Sequence, residues 1–217
     1  MKVFQIGAAG GIGRRLSELL IARGDVVTGM HRKPEQAATI TQSGADAVVG
    51  DLIADSVEEL AAKLEGHDAV VFSAGAHGTG RENTTLIDGR GVEKASAAAQ
   101  IAGATRFILV SVFPDAERDA PPSDGFEHYM RVKKAADVHL AGTPLDWVIV
   151  RPGVLKDEPG DGRVTAGPAV EYGDVHRDNV AALIDAILHE PRISRTILEV
   201  TDGPVPVAAA VSALLQI

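Results

Sequence analysis

The chain contains no cysteine. That excludes disulfides, thiolate-held zinc, iron–sulfur clusters and cysteine nucleophiles. A disulfide-free domain suits the cytoplasm. No apolar run reaches the ~18–20 residues of a membrane span. The stretch Met1–Gly7 is too short for a signal peptide and turns directly into a glycine-rich loop. Basic residues are in deficit, 21 against 30 acidic, for a net charge of −9. Such a balance disfavours nucleic acid and anionic membrane as partners, although a local basic pocket for a phosphate remains open. The histidines (His31, His67, His77, His128, His139, His176, His189) include no H-x-x-x-H or H-E-x-x-H pair. No metal site is expected from them.

What is present is an ordinary globular composition over 217 residues. That length suits one domain, 1–217, with a core large enough to need no staples. Short apolar runs alternate with helical patterns almost from end to end. Strands are predicted at Val3–Ile6, Val26–Met30, Ala47–Val49, Ala69–Ser73, Phe107–Ser111, Trp147–Val150 and Ile197–Val200. Several lack polar alternation, as strands covered on both faces do. Helical windows lie near 12–23, 34–43, 56–65, 83–102, 127–141, 176–189 and 205–215. The alternation predicts an α/β fold, a doubly wound parallel sheet. Two Pro- and Gly-rich breaks, Pro114–Gly125 (with Pro121-Pro122) and Pro152–Pro168, follow strand ends. Loops at that edge bind ligands in open α/β sheets.

The first strand runs into Gly7-Ala8-Ala9-Gly10-Gly11-Ile12-Gly13 and then a helix. One glycine permits the tight turn, another the close approach of a pyrophosphate, a third the packing of helix on strand. Free amides and the positive end of the helix dipole would hold the phosphates. The spacing is G-x-x-G-x-x-G, and no Lys-Ser/Thr follows, so it is not a triphosphate P-loop. The second strand ends in Met30-His31-Arg32-Lys33-Pro34, with no acid before Glu35. An NAD site usually carries an acid there, and an arginine accommodates a 2′-phosphate, so NADP is favoured over NAD. An exposed basic turn would read the same way. Gly50-Asp51-Leu52 after the third strand offers a carboxylate to adenine, or a helix cap. Ser73-Ala74-Gly75 after the fourth lets backbone pass close to a ribose, or simply turns.

Tyr129 is one of only two tyrosines. It stands four residues before Lys133 on a predicted helix, so the two share a face. A free phenol has a pKa near ~10, and a neighbouring cation lowers it. The phenol can then exchange a proton with a substrate oxygen while hydride moves. Ser111, at a strand end, is placed to hold the same oxygen. Asp137 and His139 read as solvated helix residues, and Trp147 and Phe107 as core. His77-Gly78-Thr79-Gly80-Arg81 reads as a surface loop, with Arg81 a weaker candidate for an anionic substrate.

These motifs, with Arg106–Ser111, Leu145–Gly153 and Val175–Ala181, make the chain resemble the short-chain dehydrogenase/reductase superfamily in its extended or atypical branch. More narrowly it resembles the small NAD(P)-binding proteins of the NAD-dependent epimerase/dehydratase and NmrA-like groups. The resemblance spans nearly the whole chain. It implies a single Rossmann domain with a small C-terminal substrate-binding part, near 152–175 and the C-terminus. It places Gly7, Gly10, Gly11, Ile12 and Gly13 at the pyrophosphate and makes Arg32 and Lys33 the selectors of the cofactor. Asp51 and Leu52 would touch adenine, and Ser73, Ala74 and Gly75 would line the ribose. Lys133 would bind the nicotinamide ribose, and Pro152 and Val154 would lie against the nicotinamide. Such proteins occur as monomers and homodimers. The expected activity is an NADP-dependent oxidoreductase acting on a small carbonyl or alcohol, with Tyr129, Lys133 and Ser111 as its catalytic group. The alternatives are an epimerase or dehydratase, a non-catalytic NADP(H) sensor, and a flavin or quinone reductase.

Overall fold

The computed structural model describes residues 1–116 and 123–216. The dipeptide Pro121-Pro122 of the first proline-rich break lies outside them. The chain folds as a single α/β domain. Its elements run β1 (Lys2–Ile6), α1 (Gly11–Arg23), β2 (Val26–His31), α2 (Pro34–Gln42), β3 (Asp46–Val49), α3 (Val57–Leu64) and β4 (Ala69–Phe72). Then come α4 (Arg81–Asn83), a π-helical segment (Thr84–Arg90), α5 (Gly91–Ala102), β5 (Arg106–Val110), α6 (Asp124–Ala141) and β6 (Asp146–Pro152). The last part holds β7 (Val154–Lys156), β8 (Arg163–Gly167), β9 (Asp174–His176), α7 (Arg177–Leu188), β10 (Thr196–Asp202), β11 (Val205–Pro206) and α8 (Val207–Leu214).

Nine strands form one sheet in the order β11-β8-β10-β6-β5-β4-β1-β2-β3. Seven of them, β3 through β10 in that order, run parallel, and β8 and β11 close the far edge antiparallel. Both faces are covered, and the sequence alternation shows why. Val3, Val71, Ile108 and Val148 point into one core with α1, α7 and α8. Phe4, Val70, Phe107 and Trp147 point into the other with α3, α5 and α6. A sheet with apolar residues on both faces must be sandwiched between helices.

The order reverses at β1, which pairs with β2 on one side and β4 on the other. The chains leaving β1 and β4 therefore diverge, and a crevice opens beyond the strand ends. Gly7 ends β1 with φ of 100°, a conformation that favours glycine. A Cβ there would lie 2.6 Å from the Ala74 amide nitrogen. Gly13 serves packing: its Cβ would sit 2.3 Å from the Gly7 carbonyl oxygen. Gly13→Ala is expected to cost about 1–3 kcal/mol, seen as a lower urea midpoint with unchanged slope.

All seven predicted strands occur, within a residue or two at their ends. Four strands were not foreseen, namely β7, β8, β9 and β11. β7 and β9 pair in a separate two-stranded sheet. β8 reads Arg-Val-Thr-Ala-Gly, with one bulky apolar residue, and is held by β10 and β11 rather than by its own pattern. No described helix is long and apolar enough to cross a membrane.

Candidate functional site

Helix α1 starts at Gly11 with Gly10 as its N-cap and no side-chain cap. The amides of Gly11, Ile12 and Gly13 find no acceptor among the described residues. Gly10, Gly11 and Ile12 line a cavity of about 520 Å³ at the crevice. Ser73, Ala74 and Gly75 line it beside them, and so do Ser111, Tyr129 and Lys133. A smaller cavity of about 130 Å³ continues past Ala74 and Gly75 and is lined by Gly7, Arg32, Asp51 and Leu52. The Arg32 guanidinium has no partner among the described residues. One groove thus runs from Arg32, across the free end of α1, to Tyr129. Unpaired amides, a helix dipole and an unpaired guanidinium fit the phosphates of a dinucleotide.

Several predicted positions sit elsewhere or act differently. Lys33 is the exposed N-cap of α2 and lines neither cavity. Asp51 Oδ1 accepts from the Ile53 amide at 2.8 Å, so half of its carboxylate caps a turn. Gly13 is buried in packing. Pro152 is buried in β6 and Val154 starts β7 at the surface; Leu155 lines the cavity in their stead. Asp137 is not solvated but only 3% exposed, and it pairs with Arg151. His139 is exposed and its Nε2 lies 3.1 Å from Ser96 Oγ. The loop His77–Arg81 is exposed throughout, and His77, Gly78, Gly80 and Arg81 also line the cavity.

Two contributors escaped the sequence reading. Arg177, the first residue of α7, lies across the loop: a Cβ on Gly11 would meet its Cδ at 2.7 Å. Its Nη1 pairs with the exposed Asp157 at 2.9 Å. A second cation over the α1 N-terminus adds to its positive field. Asp88 sits in the π-helical segment, a distortion frequent at functional sites. Its Oδ2 accepts from the Ala76 amide at 2.9 Å, and its Oδ1 lies 4.0 Å from Lys133 Nζ. The sequence offered only a lone acid in a small-residue helix as the signal.

Lys133 is 3% exposed and donates to the Val110 carbonyl at 2.9 Å. Burial lowers its pKa, against the attraction of Asp88 and Asp137. Burial likewise raises Asp88, against Lys133 and the Ala76 amide. The Tyr129 phenol is pushed up, not down: burial comes first, then the charges of Asp88 and Asp137. The expected lowering by Lys133 is therefore corrected. The lysine is already committed to Val110 and Asp88, and burial of the phenol, with the two acids added to it, sets the direction.

Among the described residues, one group has metal-ligand spacing: Asp25, Asp185 and His189. It lies outside the groove, and the Met1 ammonium and Arg23 already neutralise its carboxylates.

The family whose sequence pattern matches residues 7–191 is described as NAD(P)H-binding. A protein of Bacillus subtilis (strain 168) called "uncharacterized sugar epimerase YhfK" is 41% identical over 99% of this chain and 100% of its own length. A Bacillus halodurans structure, provisionally assigned as an NAD-dependent epimerase/dehydratase, matches at 34% identity and a TM-score of 0.89, over 99% of this chain and 100% of that one. An oxidoreductase structure from Lactococcus lactis matches at 27% identity and a TM-score of 0.87, over 100% and 98%. The chain belongs to the NAD(P)H-binding family of Rossmann proteins, among its epimerase/dehydratase-like members.

Proposed function

We propose that this family member is an NADP-dependent oxidoreductase that reduces a small carbonyl compound, with Tyr129 as the acid. The observation that carries the reading is the convergence of Tyr129, Lys133 and Ser111 on the cavity that also holds the free end of α1. A bound nicotinamide would supply the hydride. Tyr129 would deliver its proton to the substrate oxygen, so that carbonyl becomes alcohol. The phenol carries its proton at neutral pH, the form that reduction requires. Lys133, fixed by the Val110 carbonyl and Asp88, offers a further N–H to a ribose. Phe126 and Leu155 give the cavity apolar lining.

The unpaired Arg32 supports NADP over NAD. Arg32→Ala is expected to weaken NADPH binding by ~1.5–3 kcal/mol, the value of a hydrogen bond to a charged group. That is about 10- to 150-fold. NADH binding should stay as it is. Titration of cofactor fluorescence measures both, and equal NADPH affinity in variant and parent would remove the assignment.

The name of the Bacillus subtilis relative favours a second reading, an epimerase that oxidises and re-reduces one substrate. Steady consumption of NADPH with a carbonyl substrate separates the two, because an epimerase consumes none. A crystal structure with NADP tests the site itself. A Tyr129 hydroxyl about 4–5 Å from nicotinamide C4 leaves room for a carbonyl at a near-attack contact of ~3–3.5 Å. A phenol turned out of the cavity would overturn the proposal.

A further inference from the structure

Ser111 follows β5, and its amide donates to the Val150 carbonyl at 2.7 Å. Its backbone is therefore fixed at the end of the sheet. Its Oγ lies 2.6 Å from Asp137 Oδ1, with Ser111 5% and Asp137 3% exposed. The other oxygen of that carboxylate receives Arg151 Nε at 3.1 Å and Nη2 at 2.8 Å. A guanidinium only donates, so Asp137 Oδ2 accepts from both Arg151 nitrogens. An ionised carboxylate only accepts. Ser111 must be the donor of the 2.6 Å bond. A serine hydroxyl has one hydrogen and two lone pairs. The hydrogen is spent on Asp137, and Ser111 offers the cavity lone pairs alone.

We propose that Asp137, braced by Arg151, is a positioning residue that makes Ser111 a hydrogen-bond acceptor, so that the site selects carbonyl substrates with a hydroxyl beside the reacting carbon. The inference rests on the reductase reading above and revises one part of it. Ser111 does not hold the carbonyl oxygen, which takes its hydrogen bond from Tyr129. It holds a neighbouring hydroxyl. A plain ketone would cover the Ser111 lone pairs with carbon and leave a buried acceptor unpaired, which is costly. Discrimination of this kind exceeds what apolar contacts give, because the analogue lacking the group strands a polar atom.

The probes are α-hydroxyacetophenone and acetophenone. Each is measured as kcat/KM with NADPH and as a dissociation constant by calorimetry with NADP present. The parent should favour the hydroxyketone by about tenfold or more. Ser111→Ala should abolish that preference, raising KM for the hydroxyketone and relieving acetophenone of the stranded acceptor. Asp137→Asn is isosteric. Its amide oxygen must face Arg151, which only donates, so its NH₂ faces Ser111. The Ser111 hydrogen is then released toward the cavity, where a hydroxyl accepts it as well as it donates, so the hydroxyketone is kept, while α-methoxyacetophenone, whose ether oxygen only accepts, should gain on it. A merely structural role for Asp137 would lower both probes together. Should Asp137→Asn fail to fold, Ser111→Ala decides alone. Equal handling of the two probes by the parent, or a preference that survives Ser111→Ala, overturns the inference and leaves the reductase reading intact. A binding preference that Ser111→Ala abolishes, without turnover of either probe, upholds the acceptor role and overturns the reductase reading.

Discussion

Tyr129→Phe is expected to lower reductive turnover by about 10²- to 10⁴-fold, the usual contribution of a positioned proton donor. NADPH affinity should not change, because the groove near Arg32 and the free amides of α1 do not involve the phenol. The substitution keeps the ring, whose centroid lies 5.8 Å from that of Phe126, so packing survives. The pH profile carries a second signature. A free phenol titrates near ~10, and burial with Asp88 and Asp137 moves this one higher. The donor form is therefore present throughout the neutral and mildly alkaline range. Reduction should lose no rate to deprotonation of Tyr129 below about pH 10. The reverse oxidation needs the phenolate and should rise with pH over the same range. Stopped-flow NADPH oxidation with α-hydroxyacetophenone, beside cofactor titrations, measures all of this. Turnover near the parent's in Tyr129→Phe would assign the proton to another group.

The architecture was legible because its signals are local. Val3-Phe4, Val70-Val71 and Phe107-Ile108 carry apolar residues at successive positions, and only a sheet buried on both faces accepts that. The glycine loop was legible because Gly7 and Gly13 answer backbone contacts that no other residue can make. Tyr129 and Lys133 were found because helical spacing fixes a shared face. The missing parts depend on distant pairing. β8 is a strand because β10 and β11 lie beside it. Arg177 reaches the loop only because α7 packs against α1, although Gly11 and Arg177 stand 166 positions apart in the sequence. Charge state was the least legible property. Spacing put a lysine beside the tyrosine, but Asp88 and Asp137 come from the π-helical segment and from two turns further along α6. Burial of the phenol, which helical spacing does not report, raises its pKa first, and those acids add to the rise.

Breaking the Asp88–Lys133 pair should have the largest effect on stability. Each single substitution, Asp88→Ala or Lys133→Met, is expected to cost about 3–5 kcal/mol, because each strands a buried charge. Asp88 is 2% exposed and Lys133 3%. The double variant Asp88→Ala/Lys133→Met should cost less than the sum, since neither charge of the pair is left buried. The single variants should also differ in the sign of their pH dependence. Without Lys133, burial still raises Asp88, opposed only by backbone amides such as that of Ala76 and by His77. The folded state then binds a proton that the unfolded state has lost, so Lys133→Met loses stability as pH rises from the ordinary carboxylate range near ~4. Without Asp88, burial lowers Lys133 further. The unfolded state then holds the extra proton, so Asp88→Ala gains stability as pH rises toward the ordinary lysine value near ~10.4. Urea midpoints between pH 5 and 9 measure both slopes. Single variants that cost less than about 1 kcal/mol and add without coupling would show two solvated charges, not one buried pair.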